Sequence, residues 1–428
     1  MICSEFSDKS LKEKYYKLSH KSGLEVYVFP KKLSTSYALF GTEYGSIDNR
    51  FRTEGEKDYT FVPDGIAHYL EHRMFTQKDG SDITERFSEF GADTNAYTSY
   101  TKTVYMCNAT DNFENALEAL INFVTEPLFT EELVERERGI IAQEIKMSDD
   151  SPYARSYKGL LEAMYKSNNV RVDIAGTVES ISQITADMLD KCYNAFYNPN
   201  NMALVVCGDI TPETVMEIVD RTLPETFVGK KVERNYCYDE PKEVYKKLCE
   251  DRMEVSKPVF TIGVKDCDIS PDPVCRMRKF SAMALICELL FSRSGELYNY
   301  LFENGKIVPD FGGSYTTSKT FAFTTISGEA DDPFEVLDYI KSYVSNYVCN
   351  EEELRRAKRV LYAEYVMDFD STEEIANNMM DYIFEGFEIF EYGKILEDIT
   401  VDEINELVKK MFKEEYFTMS VIYPLEDK

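Results

Sequence analysis

Gly65-Ile66-Ala67-His68-Tyr69-Leu70-Glu71-His72 carries the pattern His-x-x-Glu-His and holds two of the chain's three histidines. On a helix, a spacing of four stacks two side chains on one face, and Glu71, three residues beyond His68, turns to the same side. Both imidazoles can then reach one tetrahedral cation, with a carboxylate placed to take a proton from the water that such an ion activates. The order mirrors the commoner His-Glu-x-x-His and predicts a zinc site on a helix over about 64–77. The third histidine, His20 in Leu18-Ser19-His20-Lys21, is expected to be a solvated loop residue.

Before the motif, residues 23–32 and 36–46 alternate as half-buried strands and lead into the motif helix. A second helix is expected over about 81–90, ended by Gly91, and the Thr/Tyr-rich run 94–109 reads as paired strands. Amphipathic helices follow at about 111–124, 131–148, 151–165 and 185–196, and then an apolar strand, Met202-Ala203-Leu204-Val205-Val206-Cys207. Further on, Phe90-Gly91-Ala92 recurs as Phe311-Gly312-Gly313, Asn112-Phe113 as Pro333-Phe334, and Glu131-Glu132-Leu133 as Glu352-Glu353-Leu354. The shared offset of 221 implies an internal duplication. The expected fold is α+β, with two tandem homologous αβ domains, each an antiparallel-rich sheet covered by helices on one face. Residues 1–225 are assigned to an N-terminal zinc-binding catalytic domain, 226–250 to a charged linker, and 251–428 to a homologous C-terminal domain without metal ligands.

The duplication limits the chemistry to one site, because His68, Glu71 and His72 correspond to Leu289, Ser292 and Arg293. A catalytic zinc needs a third protein ligand and an open fourth position. Glu137 and Glu144 stand two turns apart, on one face of the 131–148 helix. Glu144 lies in the apolar run Ile140-Ile141-Ala142-Gln143-Glu144-Ile145, where an unpaired carboxylate would be costly to bury and a cation would offset that cost.

Composition sets the outer bounds. The 428 residues are 43% hydrophobic and 13% aromatic, enough for real cores in two domains. A net charge of -29 repels nucleic acid and anionic membrane surfaces, so neither is an expected partner. No apolar run approaches a membrane span, and Met1 to Tyr16 is polar, so a cytoplasmic location is the expectation. Ten scattered cysteines without a Cys-x-x-Cys suit reduced, mostly buried thiols.

The run from Gly65 through His72 to Arg73-Met74-Phe75, with Glu137 and Glu144 downstream, resembles the insulinase/pitrilysin family of zinc metallopeptidases. The resemblance continues in Gly91-Ala92-Asp93-Thr94-Asn95-Ala96-Tyr97-Thr98, in Gly176-Thr177-Val178-Glu179-Ser180-Ile181 and in Tyr197-Asn198-Pro199-Asn200-Asn201. It covers the first half and, more weakly, the second. Within the family the chain is most similar to the bacterial peptidases of about 430 residues that act in pairs, and to the zinc-bearing subunit of the mitochondrial processing peptidase. The resemblance implies that His68, His72 and Glu144 hold Zn2+, that Glu71 is the general base, and that Glu137 orients the ligand helices. It further implies that a peptide substrate adds as a β-strand beside the strand starting at Asn95-Ala96, with those two residues at the scissile segment. The chain departs from the family at Leu301-Phe302-Glu303-Asn304-Gly305-Lys306-Ile307-Val308-Pro309, with Phe302 where active members carry Arg and no Tyr near Val308. The expected partner is therefore a sister subunit that supplies the Arg/Tyr pair in a heterodimer, with a homodimer as the other pairing. The rival functions are a non-catalytic scaffold that retains a zinc site and an amidase acting on non-peptide substrates.

Overall fold

The computed structural model describes residues 2–77, 80–236 and 239–426. The chain forms two compact units, and neither is one half of the sequence. The first comprises residues up to Ile145, Asp173–Asn235 and Val366–Phe390, and the second Lys146–Val172, Tyr236–Tyr365 and Glu391–Lys428. The expected division into 1–225 and 251–428 is crossed twice, because each unit takes a helix from the opposite half.

The first unit is built on seven strands, in the spatial order Ile2–Asp8, Glu13–Ser19, Glu25–Pro30, Met202–Gly208, Ser36–Thr42, Thr103–Ala109 and Ala92–Thr98. All neighbours are antiparallel except Glu25–Pro30 with Met202–Gly208. The two central strands are buried along their whole length, which explains the unbroken apolar run Met202–Cys207. Residues of one parity, such as Val26, Val28, Ala38, Phe40, Leu204 and Val206, enter the main core with helices Phe113–Thr125 and Ala186–Phe196. The other face is covered by helix Thr372–Glu385, which lies on Ser36–Thr42 and Met202–Gly208. Helices thus cover both faces, not one as the sequence reading had it.

The second unit has five strands, in the order Leu248–Met253, Phe417–Pro424, Val259–Asp266, Ala322–Glu329 and Gly312–Thr317. Only Leu248–Met253 and Phe417–Pro424 run parallel. Helix Pro152–Met164, from the first half, packs on Phe417–Pro424 and Val259–Asp266. The duplication is visible in the elements. Hairpin, helix, long helix and covering helix occupy Ala92–Ala109, Phe113–Thr125, Glu131–Asp149 and Pro152–Met164, then Gly312–Glu329, Pro333–Asn346, Glu351–Asp368 and Thr372–Glu385. The two covering helices are therefore counterparts that have changed places, an exchange that a local sequence pattern cannot reveal.

The expected linker 226–250 carries structure at both ends. Val232–Arg234 pairs with Arg50–Thr53 in a small sheet, and Leu248–Met253 is an edge strand of the second unit. Between them, the Glu240 carboxylate accepts from the amides of Ser167 and Asn168 and pairs with the buried Lys265 ammonium at 2.6 Å. Residues 237–238 of that segment lie outside the described residues. Among the described residues no helix is long and apolar enough to cross a membrane. Among the described residues nine cysteines are free thiols; Cys107, Cys192, Cys207, Cys287 and Cys349 are buried, while Cys3, Cys267 and Cys275 are exposed.

The start of the motif helix, Ile66–Met74, is set by backbone packing. Its N-cap, Gly65, has φ +86°, a left-handed conformation that favours glycine. A Cβ there would also collide with the Ala175 carbonyl. Ser180 fixes the same junction from the other side, its hydroxyl donating to the Asp64 carbonyl at 2.9 Å. The Gly176–Ile181 run noted in the sequence is thus a clamp on the helix start. Gly65→Ala should lower stability by at least about 1 kcal/mol, read as a lower denaturant midpoint, and should weaken zinc binding with it.

Candidate metal centre

The motif helix turns Ile66, Leu70 and Met74 into the core and packs on strand Ala92–Thr98 and helix Ala186–Phe196. His68 and His72 come off one side with ring centroids 4.6 Å apart. The long helix Glu131–Asp149 buries Val134, Ile141 and Ile145 in the core. The Glu131 carboxylate accepts from the Ala186 amide at 3.0 Å and Arg138 donates to the Ile184 carbonyl at 2.9 Å, which holds the long helix in place. The Tyr69 hydroxyl donates to the Val134 carbonyl and so joins the two helices directly.

That register brings the expected ligands together. Glu144 Oε2 lies 3.2 Å from His72 Nε2 and Oε1 3.7 Å from His68 Nε2. One donor atom from each of the three residues falls within 4.8 Å of the others, and among the described residues no other group of three shares this geometry. Two imidazoles and a carboxylate form a zinc donor set with room for a fourth position, so the residues fit the ion. Glu144 is 50% exposed, so the burial cost argued from its apolar surroundings does not apply. Of the isoleucines in that run, Ile141 and Ile145 are buried and Ile140 is exposed.

Glu137 is the buried carboxylate of the pair. Its Oε1 is 3.2 Å from His72 Nδ1, and its Oε2 accepts from Arg73 Nη1 at 3.2 Å. Burial opposes its ionisation, but the hydrogen bond and charge of His72, together with Arg73, outweigh it and hold the carboxyl below its ordinary range. Glu71 is 7% exposed, and burial raises its pKa against the opposing Thr98 hydrogen bond. The Thr98 hydroxyl donates to Glu71 Oε2 at 2.5 Å and sits 3.3 Å from Thr103 Oγ1, which donates to the Tyr44 carbonyl.

The two imidazoles are electrostatically distinct. Burial pushes His68 down to about 4, with the charge of His72 acting in the same direction. Burial works against protonated His72 too, yet the Glu137 hydrogen bond and the nearby Glu71 and Glu144 carboxylates raise it above 6.5. His68 Nδ1 is buried and has no hydrogen-bond partner among the described residues.

Asn95 and Ala96 lie on Ala92–Thr98, which begins three residues before the expected start and, among the described residues, pairs on one side only, with Thr103–Ala109. Asn95 is exposed, its Oδ1 accepting from the Ala96 amide at 2.9 Å. In the second unit, Leu289 is buried and Arg293 donates to the Pro309 carbonyl. Phe302 is exposed and stacks on Tyr298 at 5.7 Å. His20 is no solvated loop residue. It is buried, with Nε2 3.0 Å from Asp220 and Nδ1 2.8 Å from Ser22. Sequence reasoning missed Thr98 and Arg73, although both lie inside quoted motif runs; Thr98, three residues after Asn95 on a strand, carried a weak signal and Arg73 none.

Residues 61–178 match the family model described as Insulinase (Peptidase family M16), and residues 183–361 the model described as Peptidase M16 inactive domain. The chain is 37% identical over 420 residues to the Bacillus subtilis (strain 168) protein named "Uncharacterized zinc protease YmfH", covering 97% of this chain and 98% of that protein. The chain belongs to the insulinase family. Among solved structures, an M16-like peptidase from Alicyclobacillus acidocaldarius is 31% identical with a TM-score of 0.91, covering 96% of this chain and 98% of that one. A protease from Helicobacter pylori, 19% identical, shares the fold with a TM-score of 0.82, covering 96% of this chain and all of that one. The "inactive domain" match agrees with a second repeat in which Leu289, Ser292 and Arg293 replace the ligands.

A zinc ion held here would compete with the proton on His72, whose raised pKa would make that competition begin at a higher pH than for an ordinary histidine. Equilibrium titration of the purified chain should show one zinc per chain. The dissociation constant should rise about tenfold per unit fall in pH below that pKa, steepening only near pH 4 (about) where His68 also protonates.

Proposed function

We propose that the chain is a zinc-dependent endopeptidase that binds its substrate as an added β-strand. The observation carrying this reading is the convergence of His68, His72 and Glu144 beside a buried Glu71, next to a strand with one unpaired edge. A peptide laid along Ala92–Thr98 would gain main-chain hydrogen bonds, with Asn95 and Ala96 as its contacts near the scissile bond. Its affinity would then depend little on side-chain sequence.

Glu71 takes the proton of the attacking water and returns it to the leaving amine. Its burial suits that role, because it raises the pKa and so makes the carboxylate a better proton acceptor than an exposed one. Thr98 holds the side chain by one oxygen and leaves the other free for the proton. Glu137 accepts the Nδ1 proton of His72, which leaves Nε2 as a lone-pair donor. Zinc, when bound, supplies Lewis acidity that polarises a carbonyl and acidifies water.

The donor for the oxyanion side is absent from the expected stretch, where Phe302 and Val308 stand in place of Arg and Tyr. A second copy of this chain carries the same residues, so we propose a heterodimer with a sister chain bearing the Arg/Tyr pair. The same departure is the observation that favours the second reading, a zinc-retaining scaffold subunit.

An unstructured peptide pool, incubated with zinc-loaded chain and analysed by mass spectrometry, separates these readings. Weak chelator-sensitive cleavage by the chain alone, rising strongly with the sister chain, is the expected result. Zinc binding without cleavage under any pairing would favour the scaffold, and full activity from the chain alone would remove the need for a partner. Glu71→Gln should lower kcat by about 10²–10⁴-fold and leave one zinc bound, since it removes a base and no ligand.

A further inference from the structure

We propose that Arg73 is a positioning residue of the metal centre, acting on His72 through Glu137. Arg73 follows His72 in the motif helix and is fully buried, at 0% exposure. Its Nη1 donates to Glu137 Oε2 at 3.2 Å and to the Thr76 hydroxyl at 3.2 Å, while the other oxygen of Glu137 faces His72 Nδ1 at 3.2 Å. One carboxylate thus bridges a buried cation and a ligand ring, and its two oxygens have fixed and different partners.

Stability alone gives little reason for an arginine here. Nε and Nη2 of Arg73 are buried without a hydrogen-bond partner, and sequestering a guanidinium with two unmatched nitrogens works against folding. An apolar side chain of similar length would fill the same space without that cost. What the guanidinium supplies is direction: with Oε2 engaged, Oε1 of Glu137 has one geometry left, toward His72 Nδ1. That acceptor keeps the hydrogen on Nδ1 and the lone pair on Nε2, aimed at the space shared with Glu144. Among the described residues the centre has no second device of this kind, since His68 Nδ1 has no hydrogen-bond partner there. Ring orientation at the metal therefore depends on the Arg73–Glu137–His72 series.

This inference rests on zinc binding at His68, His72 and Glu144, and its test uses zinc affinity and apo-protein melting instead of turnover. Zinc dissociation constants are measured by competition with a chromophoric chelator for the wild type, Arg73→Met, Glu137→Gln and the double variant, with Arg73→Gln in parallel as a polar, uncharged replacement. The expected result is a roughly 10–100-fold weaker affinity for Arg73→Met and for Arg73→Gln, with an apo melting temperature equal to or above that of the wild type. The double variant should bind no more weakly than Glu137→Gln alone, because a residue acting through Glu137 has nothing to act through once Glu137 is altered. Affinity within about twofold of wild type for either Arg73 variant, losses that add in the double variant, or a fall in apo melting temperature with unchanged affinity would each overturn the role. A wild-type chain that binds no zinc, or a His68→Ala variant that binds it as tightly, would sink the metal reading itself.

Discussion

For His68, His72 and Glu144 to share one ion, two helices from parts of the chain some 65 residues apart must hold one register. The core packs one side of each helix, but apolar packing is tolerant of small slides. The polar links are less so. The Tyr69 hydroxyl on the Val134 carbonyl and the Glu137 carboxylate between His72 and Arg73 each join a fixed position on one helix to a fixed position on the other. A displacement of one residue along either helix would break both and separate the ligand atoms. The N-terminal end of the motif helix is fixed independently by the Gly65 contact with Ala175 and by Ser180.

The sheet carries this register to the place where a substrate would lie. Strand Ala92–Thr98 is at once the support of the motif helix, the source of Thr98 and the open edge of the seven-stranded sheet. Glu71 belongs to the motif helix, but the Thr98 hydroxyl that holds it belongs to the edge strand, so the position of the carboxylate relative to that edge is built into the fold. The inner strands that hold this edge are buried on both faces, the second by a helix contributed from the far end of the sequence. The first repeat would leave an apolar sheet face bare without it, so the metal half of the chain needs the other half to complete its own unit.

What could be read from the sequence follows the range of the interactions. His68, Glu71 and His72 declare themselves because helical periodicity is local, and the spacing of Glu137 and Glu144 narrowed the third ligand to two candidates for the same reason. The apolar run around Glu144 pointed to it, and the family resemblance made it the ligand and Glu137 its neighbour. The duplication was legible from a constant offset, and the hairpin and helices recur where it placed them. The exposure of Glu144 was not, because the apolar run around it is only partly core: Ile141 and Ile145 are buried, while Ile140, one turn before Glu144, is itself exposed. His20 was misread since its partner, Asp220, is 200 residues away. The exchange of covering helices was invisible for a related reason: Pro152–Met164 and Thr372–Glu385 are amphipathic whichever sheet they cover. Thr98 and Arg73 take their meaning from Glu71 and Glu137, contacts that exist only once the strand and the two helices are assembled.

Zinc K-edge X-ray absorption on the loaded chain tests the centre most directly. The account predicts one zinc with two imidazole nitrogens and a carboxylate oxygen at about 2.0–2.2 Å, plus an exchangeable light ligand, with one imidazole lost in His68→Ala and in His72→Ala. A thiolate at about 2.3 Å, or a spectrum unchanged by either substitution, would contradict it.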